Sequence, residues 1–219
     1  MSRKPPRRTR ERILETALAL FNAAGEPHVT TADIADEMNI SPGNLYYHFR
    51  NKADIIGELF DAFEASIAPL LAVPSTQAAD VEDFWLFVHL LFERMWSYRF
   101  FFRDLDEIAS LDQYLATRFA QLVQREENAM LGLCGGLRAA NILDATDAEI
   151  AALATNAVIV ATYWMSYQRL SHAADAAAEA AGMRFEIGVS QILALLSPYL
   201  RGRHRTLAEA LRARYLNDA

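Results

Sequence analysis

TTADIADEMNISPGNLYYHFRNK, residues 30–52, spells out two short helices joined by a tight turn. Thr30 or Thr31 can cap the first helix by accepting a backbone N–H, and Asp33 puts negative charge in its first turn, where it suits the helix dipole. Ile34, Ala35 and Met38 form a stripe at helical spacing, and Ala35 is small enough for another helix to approach closely. Asn39 tolerates the left-handed backbone that stops a helix, and Ile40 plugs the turn. Ser41 caps the second helix, with Pro42 at its first position, where a missing N–H costs nothing. Leu45 and Phe49 face the core at i and i+4. Gly43, Asn44, Tyr46, Tyr47 and His48 are left to divide between core and outer surface. The pattern is a helix-turn-helix.

Outward from this pair, the rest of the chain reads as helices. Residues 1–8, MSRKPPRR, hold two prolines and no apolar side chain beyond Met1, and predict an arm, either reaching for phosphates or the minor groove or simply solvated. Thr9 to Ala24 is amphipathic, with Ile13, Leu14, Ala17, Leu20 and Phe21 on one face, stopped by Gly25 and the Glu26-Pro27 turn. Asn51 or Lys52 opens a fourth helix with Ile55, Ile56, Leu59, Phe60, Phe63 and Ile67, running to Pro69 without a linker. DVEDFWLFVHLLFERMWS (80–97) is apolar nearly all round and predicts a buried central helix. YRFFFRDL (98–105) interrupts it, and a long helix with Leu115, Phe119, Leu122, Val123 and Met130 is expected to end near Gly135-Gly136. Another opens at Asp144 to Asp147 and runs to about Leu170, followed by a partly helical connection over 171–181. Between 183 and 200, Phe185, Val189, Ile192, Leu196 and Tyr199 make a seam suited to helix pairing. Residues 206–217 predict a short terminal helix with solvated basic side chains. No strand-like alternation occurs. The expected fold is all-α, with residues 1–51 a three-helix bundle and 52–219 a larger helical domain.

Composition narrows the function classes. One cysteine, Cys134, in a chain of 219 residues leaves no internal disulfide and suits a reducing compartment. It reads as a small apolar filler in LGLCGGL. The arginines at the N-terminus lack an apolar run behind them, and no segment approaches eighteen continuous apolar residues, so neither a signal peptide nor a membrane span is expected. The cytoplasm is the expected location. A net charge of −7 repels polyanions, but the way the charge is distributed points the other way. Residues 1–52 carry eight Lys/Arg against six Asp/Glu, while 53–219 carry thirteen against twenty-two. A basic head on an acidic body concentrates phosphate contact at the N-terminal end.

NISPGNLYYHFRNK resembles the recognition-helix signature of the TetR family of transcriptional regulators: a small residue, Leu-Tyr-aromatic-His-Phe, then Lys after a short gap. The resemblance is strong over the first quarter of the chain and rests on length and helical character beyond it. It implies a repressor that reads a palindromic operator as a homodimer and lets go when a small molecule binds its body. The major groove admits one helix, so the start of the second helix faces base edges. Gly43 lets the backbone come close, Asn44 can pair with adenine or a phosphate, and Pro42 offers only apolar contact. The family match implies that Tyr46, Tyr47, His48 and Lys52 lie along phosphates, with Tyr46 also placed to lean into the core; Thr31 can donate to a phosphate from its helix start. With Ser41, the candidate DNA-contacting set is Thr31, Ser41, Pro42, Gly43, Asn44, Tyr46, Tyr47, His48 and Lys52. One head makes few base contacts, each supplying about 1–3 kcal/mol of discrimination, so a two-fold pair is needed. The resemblance implies that the helices near 146–170 and 183–200 build that homodimer, and the 185/189/192/196/199 seam fits the role.

The same resemblance implies an effector pocket among the middle helices. Candidate lining residues are Phe63, Trp85, His89, Phe92, Trp96, Phe119, Thr155, Ile159, Thr162 and Tyr163, aromatics and polar groups amid apolar helices, although each aromatic suits a plain core equally well. His89 suits a satisfied core imidazole as well as a ligand contact, and Arg94, Arg99 and Arg103 either accept a carboxylate or phosphate or pair on the surface with Glu93, Asp104 or Asp106. Such a lining suits a lipophilic effector. GEPHVTTADIADEMNISPGNLYYHF, with FEASIAPLL and FWLFVHLLFERMWSYRFFF, also resembles the branch that regulates polyhydroxyalkanoate storage genes, which implies an acyl-chain effector; an aromatic or drug-like ligand is the alternative. A helical-bundle enzyme lacks support, with no closely spaced metal set, nucleophile elbow or phosphate-cradling glycine loop, and no cofactor or metal is expected. A non-specific architectural DNA protein is disfavoured by the overall negative charge.

Overall fold

The computed structural model describes residues 6–72, 80–172 and 185–217. Among them the chain forms helices and no strand, apart from one isolated antiparallel bridge between Leu143 and Leu200. It divides into two compact units, residues 1–66 with 98–118, and residues 67–97 with 119–219.

The first unit is built on α1 (Pro6–Ala24), α2 (Thr31–Glu37), α3 (Pro42–His48) and the greater part of α4 (Lys52–Leu71). Ile13, Ala17 and Phe21 of α1 are buried, as their spacing requires. The helix begins at Pro6, so the expected arm over 1–8 is shortened by three residues; residues 1–5 lie outside those described. Gly25 ends α1 at φ 96°, a left-handed value that a side chain would strain. Thr30 caps α2: its Oγ accepts from Asp33 N at 3.2 Å, and Asp33 Oδ2 accepts from Thr30 N at 2.7 Å. Thr30's hydroxyl and then its N–H hold the Asp33 carboxyl below its usual range. Asn39 stops α2 at φ 54°, and Ile40 N reaches back to Ala35 O at 3.0 Å, the bond that closes a left-handed helix end. Ser41 Oγ accepts from Asn44 N at 3.2 Å, and Pro42 opens α3.

Residues 98–118 belong to this unit. After α5 (Val81–Ser97), the expected interruption is two short helices, α6 (Phe100–Arg103) and α7 (Leu105–Leu111). Phe100, Phe101 and Phe102 are all buried. Phe100 lies 5.2 Å from Phe21, Phe101 5.3 Å from Phe60 and Phe102 5.5 Å from Phe63, ring centre to ring centre. Arg103 and Asp104 are not a surface pair: Asp104 is buried and Arg103 half-buried, and they hold the α1–α2 loop. Arg103 Nη2 donates to Phe21 O at 2.8 Å, and Asp104 Oδ2 accepts from Glu26 N at 3.0 Å.

The second unit contains α5, most of α8 (Gln113–Ala139), α9 (Asp147–His172), α10 (Phe185–Leu196) and α11 (Arg203–Asn217). Thr146 and Glu149 make the capping box that starts α9: Glu149 Oε2 accepts from Thr146 N at 2.8 Å, and Thr146 Oγ1 from Glu149 N at 3.3 Å. The long helix does not end at Gly135-Gly136. Packing carries α8 through both glycines, and Asn141 stops it at φ 58°, with Ile142 N bonded to Leu137 O at 2.9 Å. Likewise α4 runs two residues past Pro69. Residues 171 and 172 close α9, and the remainder of the 171–181 connection lies outside the described residues. By length and composition α9 could cross a membrane, but Thr155, Asn156, Thr162 and Ser166 interrupt its apolar run.

The seam on α10 packs inside this unit. Val189, Ile192 and Leu196 are buried, and α10 lies against α5, α9 and α11. Three of the five seam residues thus pack within one chain, while Phe185 and Tyr199 are half-buried. The basic residues of α11 are not only solvated: Arg205 Nε donates to Ser197 O and Arg212 Nε to Ser190 O, each at 3.1 Å. The first satisfies a carbonyl just past the end of α10, and the second reaches the middle of that helix. Gly188 on α10 has no room for a side chain, since a Cβ would stand 2.4 Å from Phe92 Cε1 and 2.9 Å from Trp164 Cδ1. Gly188→Ala is expected to destabilise the protein by about 1–3 kcal/mol, read as a lowered urea midpoint. An unchanged midpoint would show that the two rings yield freely.

Candidate DNA interface

The helix pair presents a polar face on a rigid base. Leu45 and Phe49 anchor α3 from beneath, with the Arg10 guanidinium 4.6 Å over the Phe49 ring. On the outer side Ser41, Pro42, Gly43, Asn44, Tyr46 and Tyr47 are exposed, and His48 is half-buried. Tyr47 is 79% exposed, its ring meeting His48 edge-on at 5.1 Å. An aromatic left in water on a packed helix contributes nothing to the core, so its placement suits an external contact.

Tyr46 does not lean into the core. It is half exposed, and its hydroxyl shares a 3.0 Å hydrogen bond with Thr31 Oγ1. That bond joins the start of α2 to the middle of α3 and fixes two phosphate-capable hydroxyls side by side. The spacing of the two residues along the chain gives no sign of it.

Gly43 has no protein atom within 4 Å of where a Cβ would stand, and its φ is not left-handed. The fold makes no demand for glycine here.

Lys52 is committed elsewhere. Its Nζ pairs with buried Glu26 Oε1 at 2.6 Å and donates to Glu26 O at 3.0 Å and Val29 O at 3.1 Å. Two hydrogen bonds and one ion pair thus tie Lys52 to the α1–α2 loop ahead of α2. Arg50, beyond α3, is well exposed, with its Nε 3.2 Å from Asp54 Oδ2; the helix-turn-helix pattern does not single it out.

The expected effector-lining residues fall in both units. Phe63 is fully buried in the first unit, against Phe60, Tyr98, Phe101 and Phe102. In the second unit, Tyr215 of α11 locks Trp85 and His89: its hydroxyl accepts from Trp85 Nε1 at 2.6 Å and lies 2.9 Å from His89 Nδ1. His89 is thus a satisfied imidazole, and Phe185 packs on both it and Trp96. Phe92, Phe119 and Thr162 are buried. Thr155, Ile159 and Tyr163 are exposed on α9; Thr155 Oγ1 donates to Glu127 Oε1 at 2.6 Å. Among the described residues of the second unit, Phe84, Met130, Cys134, Leu153, Ala154, Ala157, Ile192, Leu195 and Leu196 line a small void of about 10 Å³. Burial pushes the Cys134 thiol up to about 12, which keeps it neutral. A larger cleft of about 490 Å³ in the first unit runs from Arg10 past His48 and Arg50 to Arg118. Its guanidinium groups are already paired: Arg10 with Glu58, Arg50 with Asp54 and Arg118 with Asp61.

Comparison with known proteins agrees with this geometry. Residues 13–59 match the model described as "Bacterial regulatory proteins, tetR family", and residues 62–207 match "Bacterial transcriptional repressor". A TetR-family transcriptional regulator from Marinobacter aquaeolei VT8 superposes with a TM-score of 0.82 at 35% identity, over 94% of this chain and 98% of that one. A Saccharomonospora viridis protein solved in complex with choline shares the fold, with a TM-score of 0.67 at 20% identity over 90% of this chain and 100% of that one. The HTH-type transcriptional regulator AcrR of Shigella flexneri is 34% identical over 62 residues. That match spans 28% of this chain and 29% of AcrR. With both halves of the molecule matched, this chain belongs to the TetR family of bacterial transcriptional regulators.

Proposed function

We propose that the chain is a cytoplasmic repressor that binds a palindromic operator as a homodimer and releases it when a small lipophilic effector enters the body. Function divides near residue 51, with α1–α3 reading DNA and residues 52–219 sensing the effector and pairing the protomers. The observation that carries the reading is α3, where buried Leu45 and the following Phe49 leave Asn44, Tyr46 and Tyr47 facing out. Pairing falls to α9, where Ile159, Tyr163, Tyr167 and Leu170 are all at least half exposed. An apolar stripe of this length on one helix suits a second copy rather than water. A bound small molecule in a protein of the same fold supports a body that admits effectors. Regulation by activation, or by an aromatic or drug-like ligand, uses the same parts.

DNase footprinting on the DNA beside the protein's own gene tests the reading and should reveal a two-fold protected site whose occupancy falls steeply with salt. Gly43→Ala should raise thermal stability by about 0.5–1 kcal/mol while weakening operator binding, because the added methyl meets only the duplex. Tyr47→Ala should weaken binding to all sequences alike. Operator affinity unchanged in both variants would remove α3 from the interface.

A further inference from the structure

Lys52 opens α4 and closes the helix-turn-helix at its base. Its Nζ donates to Val29 O at 3.1 Å, one residue ahead of the Thr30 that caps α2. A single ammonium thus joins the chain entering the motif to the chain leaving it. The same Nζ donates to Glu26 O at 3.0 Å and stands 2.6 Å from Glu26 Oε1. The Glu26 side chain is only 4% exposed, and among the described residues Lys52 is the one cation paired with it. From the other side, Asp104 Oδ2 accepts from Glu26 N at 3.0 Å. Thr31, next after the cap, shares its 3.0 Å hydroxyl bond with Tyr46 in the middle of α3. A short run of bonds therefore leads from Lys52, through the loop ahead of α2, to α3.

We propose that Lys52 serves operator recognition as a positioning residue, acting through buried Glu26 on the entry to α2, and not as a phosphate contact. This rests on the reading of α3 as the DNA-facing helix and assigns the part that Lys52 plays in it. Turning the ammonium away from Glu26 toward a phosphate would leave a carboxylate in the interior without its counter-charge. That costs more than an ion pair at a solvent-exposed phosphate returns. Lys52 therefore stays on the loop when DNA arrives. What the pair supplies is geometry: with both ends of the motif tied, α3 keeps one angle in the groove. Base contacts need that angle, because a hydrogen bond to a base edge tolerates little misplacement.

The test uses the full chain, an operator duplex selected by the wild-type protein from a random pool, and an unselected duplex of the same length. Glu26→Gln keeps the shape of a side chain buried away from any duplex. It should nevertheless weaken operator binding about tenfold or more, the worth of one good base contact. Its hold on the unselected duplex should not weaken, so discrimination collapses while non-specific binding persists. Lys52→Met should lose operator affinity to a like degree, with the wild-type slope of log affinity against log salt. A lysine lying on a phosphate gives the opposite pattern. Lys52→Met then weakens both duplexes alike and makes the slope shallower by about one. Glu26→Gln, which frees the ammonium, then leaves operator binding unchanged or tighter. Either result overturns the proposal. So does an equal loss on both duplexes in Glu26→Gln, which marks a smaller folded fraction; circular dichroism on the same samples reads that fraction. Should Lys52→Met fail to fold, the Glu26→Gln comparison decides alone. Tyr47→Ala is the control on α3: no loss on either duplex there takes α3 off the DNA, whatever the two Lys52 readouts give.

Discussion

Ile159→Lys combined with Leu170→Lys is expected to turn the protein into a monomer and to weaken operator binding on the order of 10²–10³-fold. Ile159, Tyr163, Tyr167 and Leu170 stand on one side of α9, and Leu170 is 73% exposed. Their exposure means that lysine costs the single chain little, so circular dichroism and the refolding yield should not change. In a dimer the same lysines would be buried without partners, which costs several kcal/mol. Each separated head retains its phosphate contacts but loses the effective concentration that linkage to a second head supplies. Light scattering reads the mass, and a gel shift reads the affinity. A double variant that remains dimeric moves the pairing surface off α9; one that becomes monomeric and still holds the operator at full strength removes the need for a pair.

A second large effect concerns stability against pH. Glu126 is raised from 4.5 to about 8 by burial. A group raised in the folded state contributes stability that is fully present below its unfolded value and lost as pH rises through its folded value. Wild-type stability should therefore fall between about pH 4.5 and pH 8 and level off above. Glu126→Gln carries no charge and should escape that decline. At pH 8.5 the variant should be the more stable by about 2–4 kcal/mol, or roughly 5–15 °C in melting temperature for a chain of this size. Parallel melting curves across that range would mean that water or a donor reaches the carboxyl.

The helix pair is legible in the sequence because its signals are local. Thr30 with Asp33, Asn39, Ser41 and Pro42 each act within a few residues, and the structure places each where its chemistry directs. The box of Thr146 and Glu149 is of the same kind, although the sequence places the start of its helix only to within a few residues. Features that depend on a distant partner are not legible. The α10 seam has the spacing of a pairing helix, and spacing does not distinguish a partner in the same chain from one in another. Ile159 and Tyr163, set among threonines, suggest a pocket wall where the structure has an exposed stripe. Glu126 lies in QREEN, which passes for a solvated charge run; its register with Leu122 and Met130 is the signal that could have found it. Lys52 fits the family pattern at a phosphate, yet only the folded loop reveals that it pairs with Glu26 and donates to the carbonyls of Glu26 and Val29.

The clasp made by Phe100–Asp104 on the first unit bears on how these regulators could be recombined. Because those aromatics complete the packing around Phe21, Phe60 and Phe63, a reading head cut after α4 would leave its own interior open to solvent. Chimaeras that graft this head onto another sensor must carry the distant segment too, or rebuild its counterpart. In this chain the reading head and the segment around Phe100–Asp104 therefore travel as one piece.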